Sequence, residues 1–133
     1  MQVPYDELLA VALTAMRGAY CPYSSFAVGA AVLAEGGLVT GGCNVENVSL
    51  GLSSCAERNA IAAAVARGMR PGELKAVLIA ADAAEPPLPC GACLQFIAEF
   101  AAPECEVLCC TAAGQCQRHM LSDLLPHPFR LAR

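Results

Sequence analysis

The chain has 133 residues, which fits one domain built around a single core and is too short for two ordinary domains. Hydrophobic residues make up 56% and charged residues 15% of it, and the formal net charge is −4. The Lys and Arg residues form no run, which argues against a nucleic-acid partner. We expect one globular domain, residues 1–133, whose apolar excess favours buried subunit interfaces over an alanine-rich monomer surface.

The N-terminal sequence MQVPYDELLA has acidic residues where a secretion signal needs a basic start. No apolar stretch approaches the roughly twenty residues of a membrane span, so we expect a cytoplasmic protein without a membrane partner. Nine cysteines, an odd count without an export signal, indicate metal binding or catalysis rather than a disulfide scaffold. Four late cysteines are interpreted as small buried hydrophobic residues without a function: Cys105, Cys109, Cys110 and Cys116.

The first half of the chain begins with a predicted helix. Residues 5–19 have apolar side chains at helical spacing and acids near the start, and the helix is expected to stop before Pro22. Residues 26–33 and 38–43 flank a glycine turn and predict a β-hairpin. After a loop, residues 55–68 have the composition of a second helix, which is predicted to begin at Cys55 and to be closed by glycine.

The second half continues the alternation of strands and helices. Residues 75–81 form an apolar run typical of a central strand buried on both faces, and a proline-rich loop separates them from a helix at 92–101. Residues 106–111 predict the last clear strand, and residues 120–125 predict a short turn or helix. The order of these elements predicts an α/β fold with one mixed sheet covered by helices.

Two short motifs contain the candidate chemistry: Cys55-Ala56-Glu57-Arg58 and Pro89-Cys90-Gly91-Ala92-Cys93. The second motif alone has three interpretations, which are a redox pair, a structural zinc knuckle and chance in a cysteine-rich chain. Together the motifs place three cysteines at the starts of two helices. Three protein ligands leave the fourth tetrahedral position of Zn²⁺ for water, although another cysteine could close the site. His119 and His127 are interpreted as surface residues rather than ligands.

Glu57 follows Cys55 by two residues, which is predicted to place its carboxylate beside the metal without ligating it. There it would take a proton from water and return one to departing ammonia. The alternative is a first-turn glutamate favoured by the helix dipole. Arg58 is predicted to donate to the sulfurs, because three thiolates outweigh the two charges of Zn²⁺. Its alternative is a solvent-facing arginine.

With these motifs, three further segments make the chain similar to one family: residues 20–31, YCPYSSFAVGAA; residues 42–47, GCNVEN; and LLP at 124–126 with Phe129. They resemble the cytidine deaminases, in the small homotetrameric branch with a three-cysteine zinc site, over nearly the whole chain. The resemblance implies a three-layer α/β/α fold with a single mixed sheet of about five strands. It also implies one Zn²⁺ per chain on Cys55, Cys90 and Cys93, and a homotetramer with shared active sites.

The same resemblance implies a substrate site for a free pyrimidine nucleoside. Asn44 and Glu46 would bind the ribose 3′-hydroxyl, Phe26 would stack on the pyrimidine, and the backbone N–H of Ala56 would help to hold the base. Phe129 would stack on the base bound to a neighbouring subunit. The alternatives are turn capping for Asn44 and Glu46 and core positions for the two phenylalanines.

The implied reaction is hydrolytic deamination of cytidine and 2′-deoxycytidine to uridine and 2′-deoxyuridine, with release of ammonia, in pyrimidine salvage. Glu57 would protonate N3 and then the departing amine. The alternatives are a deaminase of another cytosine nucleoside, such as a nucleoside antibiotic, a catalytically silent zinc-binding homologue, and polynucleotide editing. Leu50 and Leu94 stand where the family usually has a tyrosine and an arginine, so altered or reduced activity is a further expectation.

Overall fold

A computed structural model describes residues 3–131. Its helices are α1 (Tyr5–Met16), α2 (Ala56–Ala66), α3 (Gly91–Phe100) and α4 (Leu121–Leu124), and a short 3-10 helix spans Leu50–Leu52. Its strands are β1 (Val28–Ala34), β2 (Val39–Cys43), β3 (Leu74–Ala81), β4 (Ala101–Thr111) and β5 (Cys116–Met120). They form one five-stranded sheet in the order β2-β1-β3-β4-β5. The β3–β4 pair is parallel and its neighbours are antiparallel, which confirms the predicted mixed sheet.

Helices cover both faces of this sheet. On one face Ile61 of α2 and Ile97 of α3 pack in a core with Val77 of β3. On the other face Leu8 of α1 packs in a second core with Leu78, the next residue of β3. Because successive side chains of a strand point to opposite faces, β3 contributes to both cores. The three-layer arrangement and the doubly buried central strand are therefore confirmed.

The structure departs from the predicted elements at three places. Strand β4 begins at Ala101, five residues before the predicted start at Glu106. Helix α1 ends at Met16, three residues before the predicted end at Ala19. Strand β5 was not predicted at all. It pairs with β4 on one side only and lies at the edge of the sheet, where Gln117 and Arg118 are exposed. An edge strand of this kind lacks the apolar alternation by which strands are predicted.

The late cysteines are buried with one exception. Burial raises the pKa of Cys105 to about 12 and that of Cys109 to about 11, so both thiols stay protonated and unreactive. Cys116 is half-buried and forms a disulfide with Cys110, which lies directly opposite it in the β4–β5 register. The interpretation of Cys110 and Cys116 as small buried hydrophobic residues missed this disulfide, because the pairing depends on the edge strand that the sequence pattern did not reveal.

The packing of α2 and α3 on one face of the sheet positions the candidate site. Gly42 of β2 lies so close to α2 that a side chain there would collide with the backbone of Ala60. Glycine therefore allows the end of β2, and the loop that follows Cys43, to approach the start of α2. Across residues 3–131, no helix combines the length and the apolar character needed to cross a membrane.

Candidate metal and active site

Three cysteine sulfurs converge where α2 and α3 begin. Cys55 is the N-cap residue of α2, and Cys90 is the N-cap residue of α3. Cys93 lies on the first turn of α3, which brings its sulfur to 3.5 Å from that of Cys90. All three sulfurs lie within 4.8 Å of one another. Tetrahedral zinc with Zn–S bonds of about 2.3 Å separates its sulfurs by about 3.8 Å, so the donor set fits one zinc ion.

The surroundings act differently on the sulfurs of Cys90 and Cys93. The pKa of Cys90 is lowered, chiefly by the backbone N–H of Cys93. Arg58 Nη2 donates to the sulfur of Cys55 at 3.3 Å and to the carbonyl of Ser53 at 3.5 Å. The Nε of Arg58 is buried and has no hydrogen-bond partner among residues 3–131. Burial raises the pKa of Cys93, so a cation in place of its proton is needed to hold that sulfur as a thiolate.

The two histidines stand apart from this cluster. Within the described residues the cluster comprises the three cysteines and neither His119 nor His127. His127 is exposed, as predicted. His119 is half-buried on the edge strand β5, outside the cluster, and its buried Nε2 has no partner in residues 3–131. Its partner in the β4–β5 register is Val107, so its side chain lies on the face of the sheet that α2 and α3 cover.

Glu57 is a buried carboxylate beside the sulfurs. It lies on the first turn of α2 with a side chain that is 5% exposed, next to the fully buried Ala56. Desolvation raises the pKa of Glu57, while its own backbone N–H, the Cys93 thiol and the charge of Arg58 act in the opposite direction. Glu57 lies near the three sulfurs but is not one of the clustered ligands. Its carboxyl group can therefore exchange a proton with a small molecule bound beside it.

Asn44 fastens the end of β2 to the start of β1. Its Oδ1 accepts from the N–H of Val28 at 2.9 Å, and its Nδ2 donates to the carbonyl of Phe26 at 2.8 Å. These are the turn-capping contacts of the alternative interpretation. The amide still has one N–H and one oxygen lone pair free of these two contacts, which is the capacity needed to bind a hydroxyl group.

Glu46, like Asn44, makes local hydrogen bonds that hold the loop. Its Oε1 accepts from the backbone N–H groups of Tyr23 at 2.9 Å and Ser24 at 3.1 Å, and its Oε2 accepts from the Ser24 hydroxyl. The Ser24 hydroxyl is the main cause of the lowered pKa of Glu46, so the carboxylate is ionised. Backbone hydrogen bonds between Tyr20 and the 44–46 segment keep it extended, which puts Asn44 and Glu46 on one side.

The two candidate stacking residues lie on the surface. Phe26 is 43% exposed just before β1, and its carbonyl is bound by Asn44. Phe129 is 71% exposed, and its backbone is held by the side chain of Gln95 on α3. Gln95 Nε2 donates to the Phe129 carbonyl at 3.0 Å, and Gln95 Oε1 accepts from the Phe129 N–H at 2.9 Å. Neither ring occupies the core position of the alternative interpretation.

Sequence reasoning missed two polar residues that hold the site together, Gln95 and Asn59. Gln95 attaches the C-terminal segment to α3 two residues after Cys93. Asn59 lies one turn after Cys55 and binds the end of β2. In both cases the sequence shows an amide side chain on a helix that carries a cysteine motif. The partner of Gln95 is 34 residues away and the partner of Asn59 is 16 residues away, so the sequence does not indicate which group each amide binds.

Known proteins resemble this chain over nearly its whole length. The family model described as the cytidine and deoxycytidylate deaminase zinc-binding region matches residues 3–109. A cytidine deaminase of Sporosarcina psychrophila is 42% identical over 124 residues, which cover 93% of this chain and 90% of that protein. The crystal structure of a cytidine deaminase from Burkholderia pseudomallei is 42% identical, with a TM-score of 0.90, over 96% of this chain and 100% of that one.

A second crystal structure gives the same result at greater distance. The cytidine deaminase from Mycobacterium tuberculosis is 38% identical, with a TM-score of 0.83, over 98% of this chain and 100% of that one. The match of the family model includes all three cysteines of the cluster and Glu57. The chain therefore belongs to the cytidine and deoxycytidylate deaminase family of zinc-binding enzymes.

Proposed function

We propose that the protein is a zinc-dependent hydrolase that deaminates cytidine and 2′-deoxycytidine to uridine and 2′-deoxyuridine, with release of ammonia, in pyrimidine salvage. The observation that supports this most directly is the convergence of three cysteine sulfurs beside the buried carboxyl group of Glu57. The names of its relatives, which are cytidine deaminases, agree with this substrate. We propose that residues 1–133 form a single catalytic domain.

Cys55, Cys90 and Cys93 hold the zinc ion, and Arg58 supports the sulfur of Cys55. When bound there, zinc supplies Lewis-acid activation of water. Arg58 limits the charge that the thiolates place on the site, because its guanidinium donates to a sulfur instead of to solvent. The positive ends of α2 and α3 act in the same direction.

Glu57 moves the protons. Its carboxylate takes a proton from the attacking water and delivers it to N3 of the pyrimidine, which makes C4 a better electrophile. It then transfers the second proton of the water to the amino group, which leaves as ammonia. Burial keeps bulk water away from this carboxyl group, so the protons pass to the substrate rather than to solvent.

Asn44, Glu46, Phe26 and Ala56 are proposed to bind the nucleoside. The unused N–H and lone pairs of Asn44 and Glu46 suit a ribose 3′-hydroxyl, which both donates and accepts hydrogen bonds. Phe26 presents a partly exposed ring for stacking on the pyrimidine. The N–H of Ala56 belongs to the first turn of α2, where backbone donors have no partner within the helix, and is proposed to bind the base.

We propose a homotetramer in which neighbouring subunits complete each active site. The surface of the single chain carries several exposed apolar side chains on the loops around the site: Val48, Leu50, Leu52, Leu88, Phe129 and Leu131. Exposed apolar groups in this number are typical of an interface. Gln95 holds Phe129 outward from α3, which fits a ring that stacks on the base bound to another subunit. Leu50, where the family usually has a tyrosine, would contribute to the same interface.

We place the enzyme in the cytoplasm. The three cysteines of the cluster must be reduced to bind a metal ion, which fits a reducing compartment. The partner is a free nucleoside, and the formal net charge of −4 disfavours binding to a polynucleotide.

The test is to measure the loss of cytidine absorbance with purified protein, together with its zinc content and with Glu57→Gln as the matched variant. We expect conversion to uridine with about one zinc per chain. The variant should keep its zinc and lose at least about a hundredfold in kcat, because a general acid–base group contributes that much. Zinc-loaded protein that leaves cytidine unchanged would contradict the proposal, and turnover of another cytosine nucleoside would then identify the alternative substrate.

A further inference from the structure

Asn59 uses its whole side-chain amide to connect three segments of the site. Its Nδ2 donates to the carbonyl of Cys43 at 2.7 Å and to the carbonyl of Ser54 at 3.4 Å. Its Oδ1 accepts from the hydroxyl of Ser54 at 2.7 Å. The residue is half-buried on α2, and its own N–H donates to the carbonyl of Cys55 at 3.1 Å. An amide with this many partners is held in one orientation.

The partners of Asn59 are the immediate neighbours of functional residues. Cys43 directly precedes Asn44, and Ser54 directly precedes Cys55. Val45 and Ser54 also exchange two backbone hydrogen bonds of 2.9 Å each. The extended segment 44–46 is thus joined to the N-terminal end of α2 through Ser54 and through the Asn59 amide.

The 44–46 segment has two other supports. Asn44 is hydrogen-bonded to Val28 at the start of β1, through both its side chain and its backbone N–H. Tyr20, Tyr23 and Ser24, which bind Asn44 and Glu46, belong to a loop whose side chains are largely exposed. Helix α2 packs its buried face against the sheet and has Cys55 as its N-cap, so the bond from Asn59 connects the segment directly to the packed helix that begins at the cysteine cluster. Loops tolerate displacement far more readily than packed helices do.

We propose that Asn59 is a positioning residue that sets the distance between the 44–46 segment and the cluster of Cys55, Cys90 and Cys93. The inference rests on the proposed function, in which that segment binds the ribose 3′-hydroxyl while C4 of the base lies at the metal. Asn59 touches neither the substrate nor the reacting atoms. It acts through Asn44, by fixing the carbonyl of Cys43, so that the ribose and the base are recognised at one fixed separation.

The mechanism predicts a dependence on the sugar. Misplacement by about 1 Å can cost as much as a hundredfold in rate, because the bound substrate then departs from its reactive geometry. A nucleoside that lacks the 3′-hydroxyl has no contact to lose when the 44–46 segment moves. Removal of the Asn59 amide and removal of the 3′-hydroxyl are therefore non-additive, as expected for two changes that break one interaction.

The experiment compares Asn59→Leu, which keeps the shape and removes the hydrogen bonds, with the parent on cytidine and on 3′-deoxycytidine. We expect kcat/KM for cytidine to fall about 10- to 100-fold, mainly through kcat, because the bound base departs from its reactive position. For 3′-deoxycytidine we expect kcat/KM to fall less than about threefold. Zinc content should stay at the parent value. Ser54→Ala is the matched control: it removes one bond of Asn59, leaves the bond to Cys43, and should have a much smaller effect.

Asn59→Ser is the second variant if the leucine variant does not fold, because its short polar side chain cannot reach Cys43 and is compatible with a half-buried position. An equal loss on both substrates, or a loss of zinc, would assign Asn59 a general structural role and overturn this inference alone. A parent enzyme that does not deaminate cytidine would overturn the proposed function and this inference with it.

Discussion

The two helix ends that meet at the metal site are held in different ways. At the start of α3, Cys90 and Cys93 are one helical turn apart, so a single turn brings two sulfurs together. The proline-rich loop before them, residues 82–89, makes no side-chain hydrogen bond within the described chain. At the start of α2 there is a single ligand, Cys55. Arg58 donates to its sulfur, and the side chain of Asn59 holds Ser54, the residue directly before it.

The difference shows what a metal site requires of its supporting structure. Two ligands on one helical turn are positioned by the geometry of the helix itself. The geometry of α3 does not determine where a single ligand on another element lies. The position of that ligand must be set by contacts between segments that are distant in sequence. We therefore expect substitutions around Cys55 to affect the zinc site more than substitutions in the loop that precedes Cys90.

The largest expected effect comes from breaking the pair on α3. Cys93→Ala removes a fully buried ligand, and we expect loss of stoichiometric zinc and of detectable deamination, because two sulfurs bind zinc far more weakly than three. Zinc per chain after dialysis is the measurement. Cys105→Ala is the matched control: this buried cysteine lies outside the cluster, and its loss should leave the zinc content unchanged. A Cys93→Ala protein that keeps one zinc per chain would refute the assigned ligands.

An intermediate effect is expected at the support of Cys55. Arg58→Met should weaken zinc binding about 10- to 100-fold, as is typical when a residue that hydrogen-bonds a metal ligand is removed. Arg58→Lys keeps the charge without the planar guanidinium and should lie between the variant and the parent. Competition with a chelator gives the affinities. Equal zinc affinity in all three proteins would show that Cys55 does not depend on Arg58.

The smallest effect is expected in the loop before α3. Pro89→Ala should lower the free energy of unfolding by about 0.4–1 kcal/mol through the greater freedom of the unfolded chain, with zinc content and kcat unchanged. Urea denaturation measures the first quantity. Loss of zinc in this variant would contradict the view that helix geometry alone positions Cys90 and Cys93. It would mean that the loop also positions Cys90.

Much of the fold could be predicted because its signals are local. The apolar run of β3, the glycine turn between β1 and β2 and the two motif-bearing helices were all predicted within a few residues of their observed bounds. The predicted start of α2 at Cys55 differs by one residue from the observed start, since Cys55 is the N-cap. The pairing of Cys110 with Cys116 was missed, because an exposed edge strand has little apolar pattern.

The sequence by itself determined the ligand types, the glutamate between them and the helical turn that joins Cys90 to Cys93, since each depends on residues close together in the chain. That Cys55 joins this pair was predicted through the resemblance to a family, and the structure confirms it. Tertiary structure alone decided that Asn59 binds Cys43 and that Gln95 binds Phe129. The physical reason is that these contacts form between segments brought together only when α2 and α3 pack on the same face of the sheet, and no local propensity specifies which distant backbone group an amide side chain will meet.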